Sequence, residues 1–460
     1  MIRRIARTAR AAAVLGALTA SLLAAPRVAR AACPDTAGDC SSLAETGSFG
    51  ASFDVVIVGD GYTQAERDKF FADAQTAANN LLESETYRDY KPVINVWALY
   101  TPSNESGADD PSENKFVDTA YDASFDSFGI YYLLAVTEAK VVADVVSRFP
   151  EADLTLCIVN DLQYGGSGGD VAVVSLDPQS IDIARHEIGH TIADLADEYP
   201  DPYPGYPDGD SEPNVASTAH LDPLKWAPWL DAGVAIPTPI DAATGQHSPI
   251  GAYEGARYKA TGMFRPAPTC LMRELASTFC PVCAEAVVKA LSDQTLLIEA
   301  PFPAGPITTL DDVPVDFGAT IAGLADLEIT WAVDGTPRAT TPGFTLLASD
   351  IGLAPGSHEV TLTVHDATPL VRNDPDGVMT ESFSWALDVQ HVDGSGGAGG
   401  VAGAGGQAGG GGAAGADSDD GCGCRAPSSD ARGAGWFGVA LAGLALYGRR
   451  RANLRRRTRA

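Results

Sequence analysis

The spacing of apolar and polar positions divides the chain into regions of different periodicity. Four continuous apolar runs predict buried strands, and two amphipathic segments, 64–83 and 128–149, predict helices between them. The predicted strands cover residues 53–58, 93–99, 155–159 and 171–176. Alternation of this kind predicts an α/β domain with a twisted sheet over residues 50–295.

Residues 296–391 change to a period of two, in which apolar positions alternate with small or polar ones. Examples are Ile329, Trp331 and Val333, and later Val360, Leu362 and Val364, with turn residues between the runs. Short strands with this alternation predict a β-sandwich of immunoglobulin-like type.

A helix with a chemical motif is predicted after the fourth strand. Its apolar stripe has spacings of three and four and consists of Ile181, Ala184, Ile188, Ile192 and Leu195. The same segment contains His186-Glu187-Ile188-Gly189-His190, which fits the HExxH pattern of zinc peptidases. Two histidines four residues apart share one helix face and can bind one Zn²⁺ ion. Glu187 is then the candidate general base for water whose pKa the metal lowers.

The third metal ligand stays open at this point. Ala193 and Ala196 stand where the metzincin pattern requires Gly and His, so that class is excluded. On an unbroken helix Asp197 would lie about 16 Å from His186, so it can bind the same ion only if the chain bends back after His190. Glu198 and Glu212 are the other candidates.

Both ends of the chain predict export. Residues 1–31 combine early arginines, an apolar run and a small-residue cleavage site, which is typical of a signal peptide, and residues 32–49 follow as an N-terminal segment. A Gly/Ala-rich linker is predicted at 392–420. Residues 421–460 contain Cys422-Gly423-Cys424, an apolar helix and an arginine-rich tail, and they resemble a myxobacterial-type C-terminal sorting signal. That resemblance implies a processing enzyme, passage through a membrane, and a final place at the cell surface or outside the cell; a single-pass anchor is the alternative.

Charge and cysteine content narrow the partners. The net charge is −29, but residues 32–424 alone carry 16 basic and 59 acidic residues and so a net charge of −43. This excess disfavours nucleic acid and anionic membrane as partners. Cysteines in an exported chain predict disulfides, with Cys33 and Cys40 closing a small loop and Cys270 paired within the group that includes Cys280 and Cys283.

An extended motif resembles the immunoglobulin-A peptidase family of zinc metallopeptidases, metallopeptidase family 64. It runs from His186-Glu187-Ile188-Gly189-His190 through Leu195 to Asp197-Glu198-Tyr199. Further matching segments are Gly59-Asp60-Gly61-Tyr62-Thr63, Pro102 to Gly107, Tyr164 to Gly168, Glu212 to Val215, and Cys270 to Arg273. The resemblance covers about residues 50–290. It implies a zincin-like domain, endopeptidase activity, and an acidic third ligand from the Asp-Glu-Tyr segment, for which we select Asp197.

Three smaller features stay open. Two of them have two interpretations each, and the third, the oxyanion stabiliser, has several candidates. Residues 164–169 are either an edge strand or loop that receives an extended peptide through main-chain hydrogen bonds, or a plain flexible loop. Met272 either underlies the metal site or is an ordinary core residue. The stabiliser of the oxyanion is undecided among four side chains, which are Tyr199, Tyr253, Tyr258 and Arg265.

The sequence therefore predicts an exported zinc endopeptidase that acts on proteins or peptides, with Zn²⁺ held by His186, His190 and Asp197 and with Glu187 as general base. The alternative is a surface-anchored binding or adhesion protein whose peptidase-like domain is inactive.

Overall fold

A six-stranded mixed sheet is the framework of the N-terminal region. The computed structural model describes residues 38–150, 152–203, 205–220 and 224–391. The strands are β1 (Cys40–Ala44), β2 (Phe53–Asp60), β3 (Ile94–Leu99), β4 (Leu154–Val159), β5 (Gly166–Ser167) and β6 (Ala172–Val174). Their order is β1-β3-β2-β4-β6-β5, with four parallel central strands and an antiparallel strand at each edge.

In the part of the chain that the structure describes, five α-helices accompany this sheet. They are α1 (Arg67–Glu83), α2 (Tyr87–Tyr90), α3 (Glu138–Arg148), α4 (Ser180–Ala193) and α5 (Pro281–Gln294). A hairpin of β7 (Tyr253–Ala256) and β8 (Lys259–Arg265) lies between α4 and α5. Short 3-10 helices span Gln64–Glu66, Lys91–Val93, Pro111–Glu113, Ser127–Gly129, Ala227–Trp229, Ile240–Ala242 and Ala348–Ile351.

The sheet has an apolar core on each face, as its continuous apolar strands require. On one face Val55 and Ile57 pack with residues of α1, α4 and α5, including Ile188. On the other face Val56 and Trp97 pack with α3. This arrangement is an α/β domain, and it sets α4 against the sheet with one side of the helix buried.

Two further sheets face each other in the C-terminal region. One has the order β10-β16-β15-β12-β13 and the other β14-β11-β9. Their strands are β9 (Ile298–Phe302), β10 (Ile307–Leu310), β11 (Val315–Ile321), β12 (Leu327–Val333), β13 (Thr336–Ala339), β14 (Gly343–Leu346), β15 (Gly356–Asp366) and β16 (Thr380–Gln390). Their shared core includes Phe317, Trp331 and Trp385, and the two indole rings stack 5.6 Å apart.

The connection between β15 and β16 packs into the N-terminal region. Met379 joins the core of the α/β domain. The hydroxyl of Tyr90 donates to Asp366 Oδ2 at 2.6 Å, and the amide of Arg372 donates to Glu285 Oε2 at 2.7 Å. The sandwich formed by the two facing sheets therefore contributes to the stability of the α/β domain. Removing the connection between β15 and β16 would expose part of the core of that domain.

Two expectations about secondary structure and cysteines are wrong. The helix expected at 128–149 begins only at Glu138, because residues 124–135 form a loop joined by isolated bridges, with Phe128 and Tyr131 exposed. Cys270, Cys280 and Cys283 are free thiols, so the disulfide expected for Cys270 is absent.

Several expectations fall on residues that the structure does not describe. Cys40 is disulfide-bonded, while Cys33, its expected partner, lies outside the described residues. The signal peptide at 1–31, the linker at 392–420 and the sorting signal at 421–460 also lie outside them. Within the described ranges, no helix combines the length and apolar character needed to cross a membrane.

Candidate active site

Helix α4 carries the motif residues on the side that faces the loops after it. Ile183, Ala184 and Ile188 are buried against the sheet and α5. The buried His186 and the half-buried His190 lie one turn apart, and their rings are 4.8 Å apart. The apolar stripe thus fixes the rotation of the helix, and that rotation brings both imidazoles to one place.

The chain reverses immediately after this helix. Asp194 adopts the left-handed conformation, with φ 52°, and its amide and that of Leu195 both donate to the carbonyl of Gly189. Asp197 consequently returns to the histidines. Its Oδ1 lies 3.0 Å from His186 Nε2 and 3.5 Å from His190 Nε2, and the two Nε2 atoms are 3.1 Å apart.

Backbone carbonyls orient both imidazoles. His186 Nδ1 lies 3.0 Å from the carbonyl oxygen of Leu271, and His190 Nδ1 lies 2.6 Å from that of Leu195. A carbonyl can only accept a hydrogen bond, so each Nδ1 must carry the proton. The Nε2 atom of each ring is then the one available to a metal, and it is these two atoms that converge with Asp197.

The hairpin β7–β8 supports Asp197 from the opposite side. Arg257 and Tyr258 form its two-residue turn, and both have positive φ, as a type I′ turn requires. The amide of Arg257 donates to the carbonyl of Asp197, and that of Tyr258 donates to the carbonyl of Tyr199. The Tyr258 hydroxyl donates to Asp197 Oδ2 at 2.7 Å, which leaves Oδ1 directed at the histidines.

The charges of these residues favour a cation among them. Burial alone would lower the pKa of His190, but the nearby Asp197 carboxylate raises it to about 9. Burial alone would raise the pKa of Asp197, but His190 and His186 hold it well below its usual range. The site therefore stabilises positive charge at the position where the Nε2 atoms meet.

Glu187 is half-buried beside the histidines, and the glycine-rich segment approaches it closely. Burial raises the pKa of Glu187, although the two imidazoles act in the opposite direction. A Cβ placed on Gly168 would lie 2.9 Å from Glu187 Oε2 and 3.1 Å from His190 Cβ. Only glycine allows the backbone to pass so close to the carboxylate. Within this segment Gly166–Ser167 form the edge strand β5.

The other candidate third ligands lie elsewhere. Glu198 is fully buried, and its Oε1 accepts a hydrogen bond from Asn214 at 3.1 Å. Glu212 forms an ion pair with Arg257 at 2.9 Å. Neither carboxylate belongs to the group formed by His186, His190 and Asp197, whose ligand atoms all lie within 4.8 Å of one another.

The four candidate oxyanion stabilisers are also separated by the structure. Tyr253 donates to the carbonyl of Pro249, and Arg265 donates to the carbonyls of Glu254 and Gly255, so both are engaged away from the histidines. Tyr258 is bonded to Asp197. The ring of Tyr199 stacks on His186 with centroids 6.2 Å apart, which leaves Tyr199 as the candidate nearest to the site.

Met272 lies directly beneath the helix. A Cβ on Gly189 would be 3.2 Å from Met272 Sδ and 3.3 Å from Phe279 Cε1. The glycine of the motif therefore lets α4 settle on this methionine, which is fully buried. Met272 is thus a core residue that packs against the glycine of the motif, and its role beneath a metal stays a prediction.

The segment around Asp60 has a structural role at the end of the sheet. Its buried carboxylate accepts hydrogen bonds from Thr119 Oγ1 at 2.9 Å, from the amide of Tyr121 at 3.0 Å and from the amide of Ala123 at 2.8 Å. These bonds hold the loops that follow β2 and β3, and they account for the carboxylate without a ligand.

The donor set fits a metal ion. Three ligand atoms bound at about 2.1 Å in tetrahedral directions would be about 3.4 Å apart, close to the separations of 3.0, 3.1 and 3.5 Å found here. Two imidazole nitrogens and one carboxylate oxygen also leave a fourth position for water or substrate, as catalytic zinc sites do. Tyr258, which the sequence offered only as an oxyanion candidate, belongs to this site as the partner of Asp197.

We expect Tyr258→Phe to weaken metal retention by about tenfold, because Asp197 would lose the hydrogen bond that orients it. Competition with a graded chelator, read by metal content, measures this. Tyr203→Phe is the matched control, since the ring of Tyr203 packs on the ring of Tyr258 with centroids 5.9 Å apart. Equal metal affinity of Tyr258→Phe and the wild type would contradict the orienting role.

The fold and the site together define a peptidase with a candidate metal centre. The family model described as IgA Peptidase M64 matches residues 41–248 and 240–291, which is more than half of the chain. The chain belongs to this family. The resemblance inferred from the extended motif is thereby confirmed, and so is the α/β peptidase domain.

Other comparisons add no function. No curated protein matches the chain. Similar solved structures include a quinonprotein alcohol dehydrogenase-like protein from Bacteroides thetaiotaomicron, at 12% identity and TM-score 0.16, covering 20% of this chain and 18% of that one. Another is the Bacteroides ovatus mixed-linkage glucan utilization protein SGBP-B, at 16% identity and TM-score 0.16, covering 21% and 24%. The titin M3 domain matches at 14% identity and TM-score 0.14, covering 20% and 98%. This chain therefore spans less than a quarter of the first two structures, and TM-scores this low carry no conclusion.

Proposed function

We propose that the protein is an exported zinc-dependent endopeptidase that hydrolyses peptide bonds of extracellular proteins. The observation that carries the proposal is the convergence of His186 Nε2, His190 Nε2 and Asp197 Oδ1 beside Glu187, in a chain of a peptidase family. The fold is then zincin-like, with α4 as the HExxH helix.

His186, His190 and Asp197 would hold the zinc ion. When bound, the ion supplies a Lewis acid that polarises the peptide carbonyl and lowers the pKa of water. The chain contributes the orientation of the ligands: the carbonyls of Leu271 and Leu195 hold the rings, and Tyr258 holds the carboxylate. This support lets the site keep its geometry throughout turnover.

Glu187 would move the proton. Its carboxylate is next to the ligand histidines but is not one of the three converging groups. Burial raises its pKa, which makes it a stronger base than an exposed glutamate. It takes a proton from the attacking water and delivers it to the leaving amine.

The substrate would run along the glycine-rich segment. Gly168 brings the backbone to the Glu187 carboxylate, and no side chain blocks this approach. The partly exposed rings of Tyr132 and Tyr164 meet edge to face, 6.4 Å apart, and partial burial together with the charge of Glu187 raises the pKa of Tyr164. These tyrosines form an apolar rim on which side chains of an extended peptide can pack.

The remaining expectations complete the proposal. The C-terminal sandwich is of immunoglobulin-like type, and Trp331, stacked on Trp385, is its central core residue. The protein is exported by its signal peptide and reaches the cell surface or the medium after processing of residues 421–460. The family supports protein or peptide substrates, and the acidic charge argues against nucleic acid.

Casein cleavage by the purified chain tests the proposed activity. We expect cleavage that a chelator abolishes and that added Zn²⁺ restores. Cleavage that persists after complete removal of metal would overturn the metal-dependent mechanism. Metal-loaded protein that cleaves neither casein nor a library of unfolded peptides would instead favour the binding-protein alternative.

A Gly168→Ala variant tests the position of the substrate and of Glu187. The added methyl group must displace the Glu187 carboxylate, which is the flexible end of a side chain, and it also presses on His190 Cβ at 3.1 Å, which must yield by a few tenths of an ångström. A misplaced catalytic group lowers turnover strongly, and we expect kcat to fall by about tenfold to 100-fold. Metal analysis of the same preparation separates this loss from any effect through His190. The matched control is Gly343→Ala in the sandwich, where a Cβ meets no atom closer than 3.7 Å. Unchanged kcat in Gly168→Ala would contradict the arrangement.

A further inference from the structure

A second group of metal-ligating side chains lies behind the active site. One carboxylate oxygen of Glu198 and the sulfur atoms of Cys270, Cys280 and Cys283 all lie within 4.8 Å of one another. Each of these four residues is 0% exposed, so the group is fully enclosed. None of these four residues takes part in the reaction steps assigned to His186, His190, Asp197 and Glu187.

Three separate segments build this group. Cys280 is the N-cap of α5, and Cys283 lies in the first turn of that helix. Cys270 comes from the loop after β8, and its sulfur accepts a hydrogen bond from the amide of Cys280 at 3.2 Å. Amide donors of this kind stabilise sulfur that carries negative charge. Glu198 reaches the group from the segment that follows α4.

The glutamate gives an independent indication that a ligand is missing. Glu198 Oε1 accepts from Asn214 at 3.1 Å and from the Cys283 thiol at 3.5 Å, whereas Oε2 is buried with no hydrogen-bond partner. A buried carboxylate oxygen without a partner is strongly unfavourable in an apolar core. A disulfide between two of the cysteines would leave this oxygen and the third thiol as they are. A cation bound by all four groups would satisfy each of them.

We propose that Glu198, Cys270, Cys280 and Cys283 bind a second Zn²⁺ ion in a closed structural site. Four ligands match the closed tetrahedral coordination of structural zinc, and sulfur atoms bound at about 2.3 Å would be about 3.8 Å apart. Each thiol loses its proton to solvent as the metal binds, so that three thiolates and one carboxylate surround the ion. The charge of the buried Arg265 acts on Glu198. It offsets part of the net negative charge that three thiolates and one carboxylate would have around a divalent ion.

This site would hold together the supports of the active site. Glu198 follows Asp197 in the chain, and its amide donates to the carbonyl of Met272. Cys270 precedes Leu271, whose carbonyl orients His186. The second ion thus fixes two segments that position the ligands of the first, while its own coordination leaves no place for a substrate. Its role is structural and does not depend on peptidase activity.

Replacement of zinc by Co²⁺ in the full chain tests the proposal. Thiolates bound to Co²⁺ give an intense near-ultraviolet charge-transfer band, which histidine and carboxylate ligands do not give. We expect the band in the wild type and in His190→Ala, and its loss in Cys270→Ser. The matched control is Cys157→Ala, since Cys157 is a buried free thiol in β4 outside the group. Zinc content should be two ions per chain in the wild type and in the control, and one in each of the other variants.

A second measurement covers the case in which Cys270→Ser fails to fold. The wild-type chain is denatured with chelator and without reductant, its thiols are alkylated, and its peptides are mapped. We expect Cys270, Cys280 and Cys283 all to carry the alkyl group. A disulfide joining any two of them would overturn the proposal, as would the absence of the charge-transfer band from the folded wild type. Either result would leave the His186, His190 and Asp197 site unaffected.

Discussion

Replacing Glu187 with glutamine is expected to abolish casein cleavage while zinc stays bound. Glutamine has the shape of glutamate, so the packing beside Gly168 is kept, but the amide cannot accept a proton from water. General acid–base catalysis contributes on the order of 10²- to 10⁴-fold, and we expect kcat to fall by at least that range. Metal content should remain that of the wild type, because Glu187 is not among the three converging ligands. Steady-state kinetics and metal analysis on the same preparation measure both quantities.

Glu328→Gln serves as the control for this variant. Glu328 is an exposed residue of β12 in the sandwich, so the same chemical change is made away from the site. Its kcat should equal that of the wild type. If Glu187→Gln kept substantial kcat with full zinc, Glu187 would not be the base; if it lost its zinc, the residue would have to be reassigned as a ligand.

The sequence predicted those parts of the fold and site that depend on local spacing. The apolar runs of β2, β3, β4 and β6 are continuous because both faces of the sheet are covered, and such runs are visible in sequence. His186 and His190 converge because a helix places residues four apart on one face. The extended motif then identified the family, which its model confirms.

The sequence could not predict what depends on contacts between distant segments. Residues 128–137 have helical periodicity but form a bridged loop, since pairing of Ala135 with Ser124 and of Leu133 with Gly166 overrides the local preference. The hairpin that brings Tyr258 to Asp197 lies in a segment rich in Pro, Gly and Asp, a composition typical of loops. The cysteines suggested a disulfide because Glu198, 72 residues before Cys270, offered no sign of lying beside them.

Asp197 has the second large expected effect, and Asp197→Asn tests it with little change in shape. Asparagine keeps an oxygen for the Tyr258 hydroxyl but loses the negative charge that faces both histidines. Changes at residues that merely support a ligand weaken metal binding by about 10- to 100-fold, so loss of the ligand charge should weaken it by about 100-fold or more. Chelator competition measures this, and cleavage should be lost at limiting zinc. The matched control is Asp201→Asn, four residues further on and exposed.

The metal-free protein gives a separate test of Asp197 through pH. In the wild type, the pKa of His190 is raised from the ordinary 6.5 to about 9, although burial alone would lower it, because Asp197 favours the protonated ring. This interaction stabilises the folded state fully below about pH 6.5 and is lost as the pH rises through about 9. Chelated wild type should therefore lose stability across that window, whereas chelated Asp197→Asn should not, since burial then acts on His190 without the opposing carboxylate. NMR titration of chelated Asp197→Asn should find the pKa of the His190 ring below its value in the wild type. A ring that titrates near pH 9 in both proteins would show that Asp197 does not control the histidine, and the assignment of this carboxylate as the third ligand would fail with it.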